Sequence, residues 1–276
     1  LTVTYPPEFQ QPSTLEEWMT LSVLVHAGAK VGKSTLAATA PKPILALDAE
    51  GSWKFLPVRK KWWDPMREWP PTYDGTWDVC IVTVREWAPV ERVFQWLTQY
   101  QTPFVSVVLD SITEIQRRCK ANLKGSEAMK IQDWDTLLRA MDGVIRGYRD
   151  LTITSGLNVR CAVFIAETRE INGKWRPHMQ GQIAVALPYW TDIVGYLYPA
   201  FLQDQNGQNT QEVRQLLVTP HPQYEAGERV QGRLGQAVTI PRPADGQIGS
   251  DIERMIQTVY AQPWAQDAQT AQRSAS

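Results

Sequence analysis

The sequence predicts an α/β domain with a mainly parallel sheet, helices on both faces and an antiparallel C-terminal extension. Three observations predict it. Through about residue 165, apolar runs of strand length alternate with segments of helical period. Between the first apolar run and the first helical segment lies "GKST", residues 32–35. From residue 168 onward, turn signals such as "INGK" and "DQNGQN" separate short apolar runs.

In chain order, residues 1–20 form a polar, proline-bearing N-terminal segment ending in a short helix, "TLEEWM". Residues 21–260 form the main domain, and 261–276 a small-residue polar tail expected to be disordered. "TLSVLVHA" is a buried strand running into a loop, and Ser34 to Ala40 a short helix stopped by Pro41 and Pro43. "PILALD" is the second strand. Residues 53–78, dense in tryptophan, proline and charge, read as a partly helical excursion over the sheet. "DVCIVTV" is the third strand. Pro89 to Tyr100 is amphipathic, with Val90, Val93, Phe94 and Leu97 at helical spacing. "FVSVVLD" is the fourth strand, and Ser111 to Lys124 is helical. Asp133 to Leu151 is a stronger helix, its stripe formed by Trp134, Leu137, Leu138, Met141, Val144, Ile145 and Tyr148. "VRCAVFIAE" is the fifth strand. "IAVAL", "DIVGYLYP" and "VRQLLVTP" then read as hairpin strands extending the sheet, and Ser250 to Tyr260 as a last helix.

Composition narrows the function. The 276 residues are 43% hydrophobic, enough for a sizeable core. The formal net charge is −1, so any nucleic-acid contact must come from a local patch. No apolar run approaches the ~18 residues of a membrane span, and the N-terminus lacks the pattern of a signal peptide. The cysteines, Cys80, Cys119 and Cys161, form no C-x-x-C pair and read as reduced core residues of a cytoplasmic protein. With three scattered histidines, no metal-ligand cluster is expected.

The stretch "HAGAKVGKSTL", His26 to Leu36, carries most of the chemistry. It departs from G-x-x-x-x-G-K-[ST] only in Ala27, where the first glycine belongs. Gly28, Ala29, Lys30, Val31, Gly32, Lys33, Ser34 and Thr35 can turn backbone N–H groups toward a polyphosphate, with a helix start behind them. Lys33 would reach the β- and γ-phosphates of ATP, and Ser34 would hold Mg2+. Asp110, at the tip of the fourth strand, is a second magnesium candidate, although an aspartate ending a strand is common. Glu50, just past the second strand, can activate the water attacking a γ-phosphate, or can simply cap a turn. Glu167 and Thr168, ending the fifth strand, suit a γ-phosphate sensor or an ordinary surface strand end.

The order of these parts resembles the RecA-like core P-loop ATPases. In that family the phosphate loop is followed by a strand ending D-A-E, here Asp48, Ala49 and Glu50. An apolar run ending D-S follows, here Leu109, Asp110 and Ser111, and then a strand with a polar sensor at its end, glutamine in RecA and Glu167 here. The likeness spans roughly residues 20–200 and is nearest to the minimal phage-encoded single-strand annealing and recombination ATPases. Leu187, Pro188, Asp192 and Val194 resemble a P-x-L-P-x-x-x-D-x-V segment of that group. Near the N-terminus there is no clear F-x-x-A segment of the kind used for polymerisation.

The resemblance implies an ATPase with ATP and Mg2+, Glu50 and Lys33 as catalytic residues, DNA-stimulated turnover and a homo-oligomer. It implies single-stranded DNA as partner, with a single-strand-binding protein as a further one, in the cytoplasm (the host's, for a phage protein). Arg169, Lys174, Trp175 and Arg176, with His178, interleave basic and aromatic side chains in the loop after the fifth strand, as DNA contact or as a solvated hairpin. Arg59, Lys60 and Lys61, beside Trp62 and Trp63, form a second such cluster or a packing cover. Arg229 and Arg233 are candidates for a finger reaching a neighbour's γ-phosphate. The competing readings are another P-loop motor (helicase or packaging ATPase), a small-molecule kinase, and a nucleotide-gated binding module. Kinases of that kind usually lack the intervening strand with its D-A-E end, and usually carry an arginine-rich lid.

Overall fold

The computed structural model describes residues 19–203, 210–241 and 248–261. The expected "TLEEWM" helix (save Met19), the "DQNGQN" turn and the tail from 262 lie outside the described residues. The strands are β1 (Leu21–Ala27), β2 (Ile44–Asp48), β3 (Lys60–Trp62), β4 (Val79–Thr83), β5 (Ser106–Asp110), β6 (Cys161–Ile171), β7 (Lys174–Pro177), β8 (Ile193–Gln203), β9 (Thr210–Leu217), β10 (Gly227–Glu228) and β11 (Ala237–Ile240). The helices are α1 (Lys33–Ala37), α2 (Ala88–Gln99), α3 (Ile112–Lys124), α4 (Ile131–Asp150), α5 (Ile183–Ala186) and α6 (Asp251–Tyr260).

One sheet runs in the order β11-β9-β8-β1-β6-β5-β2-β4-β3, with β10 on β8 and β7 on β6. From β8 to β3 every neighbouring pair is parallel. β9 and β11 extend it antiparallel. The central strands are apolar throughout because both faces are covered. Alternate residues feed two cores. Leu24, Leu45, Leu47, Leu109 and Phe164 pack with Val93, Leu97, Ile115, Met141 and Ile145 from α2, α3 and α4. Val23, Val25, Ile44, Ala46 and Ile165 pack with Leu36, Ile252 and Met255 from α1 and α6.

Two sequence expectations need correction, and a third gains a parallel neighbour. Residues 53–78 join the edge of the sheet instead of forming a partly helical excursion over it. After a single 3-10 turn, Trp53–Phe55, the chain forms the edge strand β3, parallel to β4. The run Arg59–Lys61 thus lies on a sheet edge, where lysines discourage pairing with another chain. Trp63 and Trp77 are core residues packed around Phe104. "IAVAL" is helical, not a strand. Ile183 and Leu187, four apart, are buried while Val185 is 61% exposed. "DIVGYLYP" opens β8, which pairs antiparallel with β9 as expected of a hairpin strand, while its other edge lies parallel to β1, reached by the crossover through α5. Gly195 lets β8 and β9 pack closely, since a Cβ there would lie 2.4 Å from Leu216 Cδ1.

Among the described residues no helix is long and apolar enough to cross a membrane. The three cysteines are free and buried, and burial pushes the thiols of Cys80, Cys119 and Cys161 up to about 12.

Candidate nucleotide site

The parallel registers bring the candidate residues to one edge of the sheet. Asp48 is level with Asp110, Asp110 with Ile165, and Glu167 with Ala27. Loop 28–32, Glu50, Asp110 and Glu167 therefore share the carboxyl ends of β1, β2, β5 and β6, where open α/β sheets bind ligands.

Ala27 is the last residue of β1, 1% exposed, its methyl part of the core beneath α1. It lies in regular parallel pairing, so no glycine is needed there. The unusual backbone lies later, at Lys30 (φ 61°) and Gly32 (φ 103°). Lys33 Nζ donates to Gly28 O at 2.9 Å and Ala27 O at 3.3 Å, closing the loop around its ammonium. Burial lowers the Lys33 pKa, against the pull of Glu50, Asp110 and Glu167. With five residues, α1 is shorter than expected and has little dipole to offer, so an anion here depends on the loop N–H groups and Lys33.

Ser34 Oγ donates to Asp110 Oδ2 at 2.5 Å. Trp53 Nε1 donates to the same oxygen at 2.8 Å, and Ser52 Oγ at 3.3 Å. Burial, helped by Glu50 and Asp48, pushes the Asp110 carboxyl up to about 6, against the Ser34 and Trp53 hydrogen bonds. Among the described residues no trio of His, Cys, Asp or Glu could cage a metal. A hydroxyl and a carboxylate in contact fit instead a Mg2+ that completes its shell with water and phosphate oxygens.

Asp48 holds the turn that follows it. It accepts from the backbone N–H of Gly51 (2.7 Å), Ser52 (3.2 Å) and Trp53 (3.2 Å). That turn presents Glu50, exposed, whose Oε1 accepts from Ser111 Oγ at 2.5 Å. Ser111 follows Asp110 directly and caps α3 by accepting from Glu114 N at 3.2 Å. The candidate base is thus tied to the residue next to the candidate metal carboxylate.

Glu167 reaches the loop's edge, but its carboxylate is engaged by Arg117, with both oxygens at 2.8 Å, and by His178 Nδ1 at 3.2 Å. The Arg117 hydrogen bonds hold its pKa below the usual range. His26, in β1, is buried. Its Nε2 donates to Glu225 O at 2.7 Å, and Nδ1 lies 3.1 Å from Thr168 Oγ1. Burial lowers its pKa to about 4, so it is neutral.

The basic–aromatic positions divide. Arg169 is exposed and Trp175 is 37% exposed, both on the β6–β7 hairpin. Lys174 and Arg176 both pair with Glu225, at 3.2 and 3.5 Å. Arg59 pairs with Asp78 at 2.7 Å. Arg229 bonds Tyr189 O and lies 4.0 Å from Asp192, beside the start of β8. That is the opposite end of β1 from the loop, about 20 Å away. Arg233 donates to Val259 O at 2.5 Å. Neither finger candidate stands at the loop of its own chain.

Sequence reasoning missed Ser52, Trp53 and Arg117, and it named Ser111 only as part of the D-S pair, without its bond to Glu50. The serines adjoin residues it did name. Trp53 belongs to the turn that Asp48 holds, but its reach to Asp110, like that of Arg117 to Glu167, appears only in the packing.

The family of AAA domains matches residues 19–230. No curated protein matches. Among solved structures, the chain is similar to a prototypical ATPase from the type III secretion system of pathogenic bacteria. That likeness has a TM-score of 0.42 and 14% identity, over 65% of this chain and 52% of that one. The chain thus spans about half the length of that structure. The family match covers most of the chain, including every element that carries loop 28–35, Glu50, Asp110 and Glu167. The chain belongs to the AAA domain family, as a nucleotide-binding P-loop ATPase domain.

Proposed function

We propose that this chain is a RecA-like ATPase that uses ATP and Mg2+ to regulate its grip on single-stranded DNA, in annealing or recombination of the kind phages encode. The observation that carries the hydrolytic part is the Ser111–Glu50 hydrogen bond. It holds an exposed carboxylate beside the Ser34–Asp110 pair, where a water attacking a γ-phosphate needs a base. Ser34 and Asp110 would hold Mg2+, which supplies charge neutralisation at the phosphates, while Lys33 and the loop N–H groups orient the chain of phosphates.

Hydrolysis is favoured over transfer to a small molecule by strand order. β6 lies between β1 and β5, and β2, ending D-A-E, lies beyond β5. DNA contact is supported by Arg169 and Trp175, a phosphate partner and a stacking surface on one exposed hairpin. That hairpin continues β6 beyond Glu167, and His26 ties the loop strand to it through Thr168. Nucleotide state and hairpin position are therefore mechanically linked. In an oligomer, Arg229 or Arg233 would act on a neighbour's nucleotide. A single-strand-binding protein would deliver the substrate, in the cytoplasm of the host.

The test is steady-state ATPase with and without single-stranded DNA, for the parent and for Glu50→Gln. Stimulation by DNA, with turnover lowered by about 10²–10⁴ in Glu50→Gln, supports the proposal. Turnover indifferent to DNA points to another motor or a kinase. Nucleotide binding without turnover in the parent makes the chain a nucleotide-gated binding module.

A further inference from the structure

A cation that no sequence pattern singles out stands against the phosphate loop. Arg214 lies on β9, opposite Pro199 of β8 and Ile240 of β11. Pro199 is three residues beyond Tyr196, which is level with His26, so Arg214 stands at the height of the loop that follows β1. Along β9, residues 214, 216 and 218 share a face. Leu216 and Val218 are buried in the core beneath α1 and α6, and Arg214 ends that apolar row with a charge.

Its guanidinium is packed against Gly32. A Cβ at residue 32 would lie 2.5 Å from both Cζ and Nη1 of Arg214. The side chain is half-buried, yet among the described residues it forms no hydrogen bond or ion pair. Arginine placed inside a fold normally has its planar donors matched by carboxylate, carbonyl or phosphate oxygens. Here they face a loop that already carries Lys33, where a second cation is repelled unless an anion sits between them.

We propose that Arg214 is a phosphate ligand of the nucleotide site, supplied in cis by β9. Its guanidinium binds oxygens of the polyphosphate held over Gly32 and Lys33. This rests on the loop's being a nucleotide site, and it adds a direct contact from the antiparallel extension. The residue at position 32 must then be glycine for a second reason besides its positive φ: a side chain would displace the arginine.

The experiment is calorimetric binding of ADP, a non-hydrolysable ATP analogue and inorganic pyrophosphate to the full chain, as parent, Arg214→Gln, Arg214→Lys and Lys33→Ala. Thermal unfolding without nucleotide is measured alongside. The expected result is a 10- to 100-fold loss of affinity in Arg214→Gln for all three probes, partial recovery in Arg214→Lys, and no loss of nucleotide-free stability. Arg214→Gln binding within twofold of the parent, while Lys33→Ala binds nothing, overturns the proposal and leaves the nucleotide site standing. No binding by the parent overturns both. A nucleotide-free melting point lowered in Arg214→Gln, with unchanged affinity, makes the arginine structural. Mixing Lys33→Ala with Arg214→Gln separates cis from trans. Recovery of binding or turnover would mean that Arg214 serves a neighbour and would overturn the cis assignment.

Discussion

Asp110 accepts a hydrogen bond from Ser34 at 2.5 Å, although 76 residues separate them. β6 lies between β5, which ends in Asp110, and β1, which leads to the helix carrying Ser34, so the contact forms over the ends of the sheet. It brings together the two protein oxygens suited to Mg2+. Asp110→Asn keeps acceptors for Ser34 and Trp53 but loses the anion. Magnesium-dependent turnover is expected to fall by at least ~10²-fold, with the fold intact. A Mg2+ titration of ATPase activity, alongside circular dichroism, checks this. Turnover retained at a similar Mg2+ midpoint would remove Asp110 from the metal site.

Asp110 and His26 pull stability in opposite directions over one pH window. The Asp110 carboxyl is raised from 3.8 to about 6, so the folded state holds a proton that the unfolded state has released. Stability from this group is fully present below 3.8 and is lost as pH rises toward 6. His26 is lowered from 6.5 to about 4, so its contribution is present above 6.5 and lost as pH falls toward 4. The two slopes largely cancel in the parent. His26→Asn is expected to leave stability falling between pH 4 and 6, and Asp110→Asn to leave it rising there, each by about 2–3 kcal/mol across the window. Urea unfolding of the nucleotide-free protein at several pH values reads both slopes. Identical pH profiles for the two variants would contradict the assignment.

Ser111 donates to Glu50, which under the proposed function gives it a positioning role. Removing its hydroxyl frees the carboxylate and also removes the cap at Glu114 N. Ser111→Ala is expected to lower kcat by about tenfold with KM little changed, and stability by about 1 kcal/mol. In a double-mutant cycle, Glu50→Gln should abolish the kcat effect of Ser111→Ala but leave its stability effect. Additive kcat losses would mean that the hydroxyl acts independently of Glu50.

The central strands were legible in the sequence, though not their order in the sheet, because buried parallel strands are short apolar runs with punctuation, as "PILALD" and "FVSVVLD" are. Loop 28–35, Glu50 and Asp110 were legible because each adjoins the end of such a run. Edge strand β3 was not, since two lysines and an exposed Trp62 carry no alternation to detect. The antiparallel pairing of β8 with β9 was legible, but its parallel pairing with β1 was not, because a local pattern does not show that α5 forms a crossover. Trp53 and Arg214 escaped for a shared reason. Each reaches the site from an element that is unremarkable in sequence, and only the packing brings Trp53 to Asp110 and Arg214 to Gly32.

Ala27 and Gly32 exchange the roles that the loop pattern suggests. Ala27 sits in a regular strand with its methyl buried, so the missing glycine leaves no strain to relieve. Ala27→Gly removes that methyl and adds backbone freedom to the unfolded chain, so it is expected to destabilise by about 1–2 kcal/mol. Nucleotide affinity and turnover should stay within twofold. Gly32→Ala forces a side chain into positive φ and onto the Arg214 guanidinium. It should lower stability by about 1–3 kcal/mol and weaken ADP binding at least tenfold. Melting curves and ADP titrations on the two variants read both effects. A gain in ATPase activity in Ala27→Gly would mean that the alanine restrains the loop after all, and that the glycine belongs where the pattern puts it.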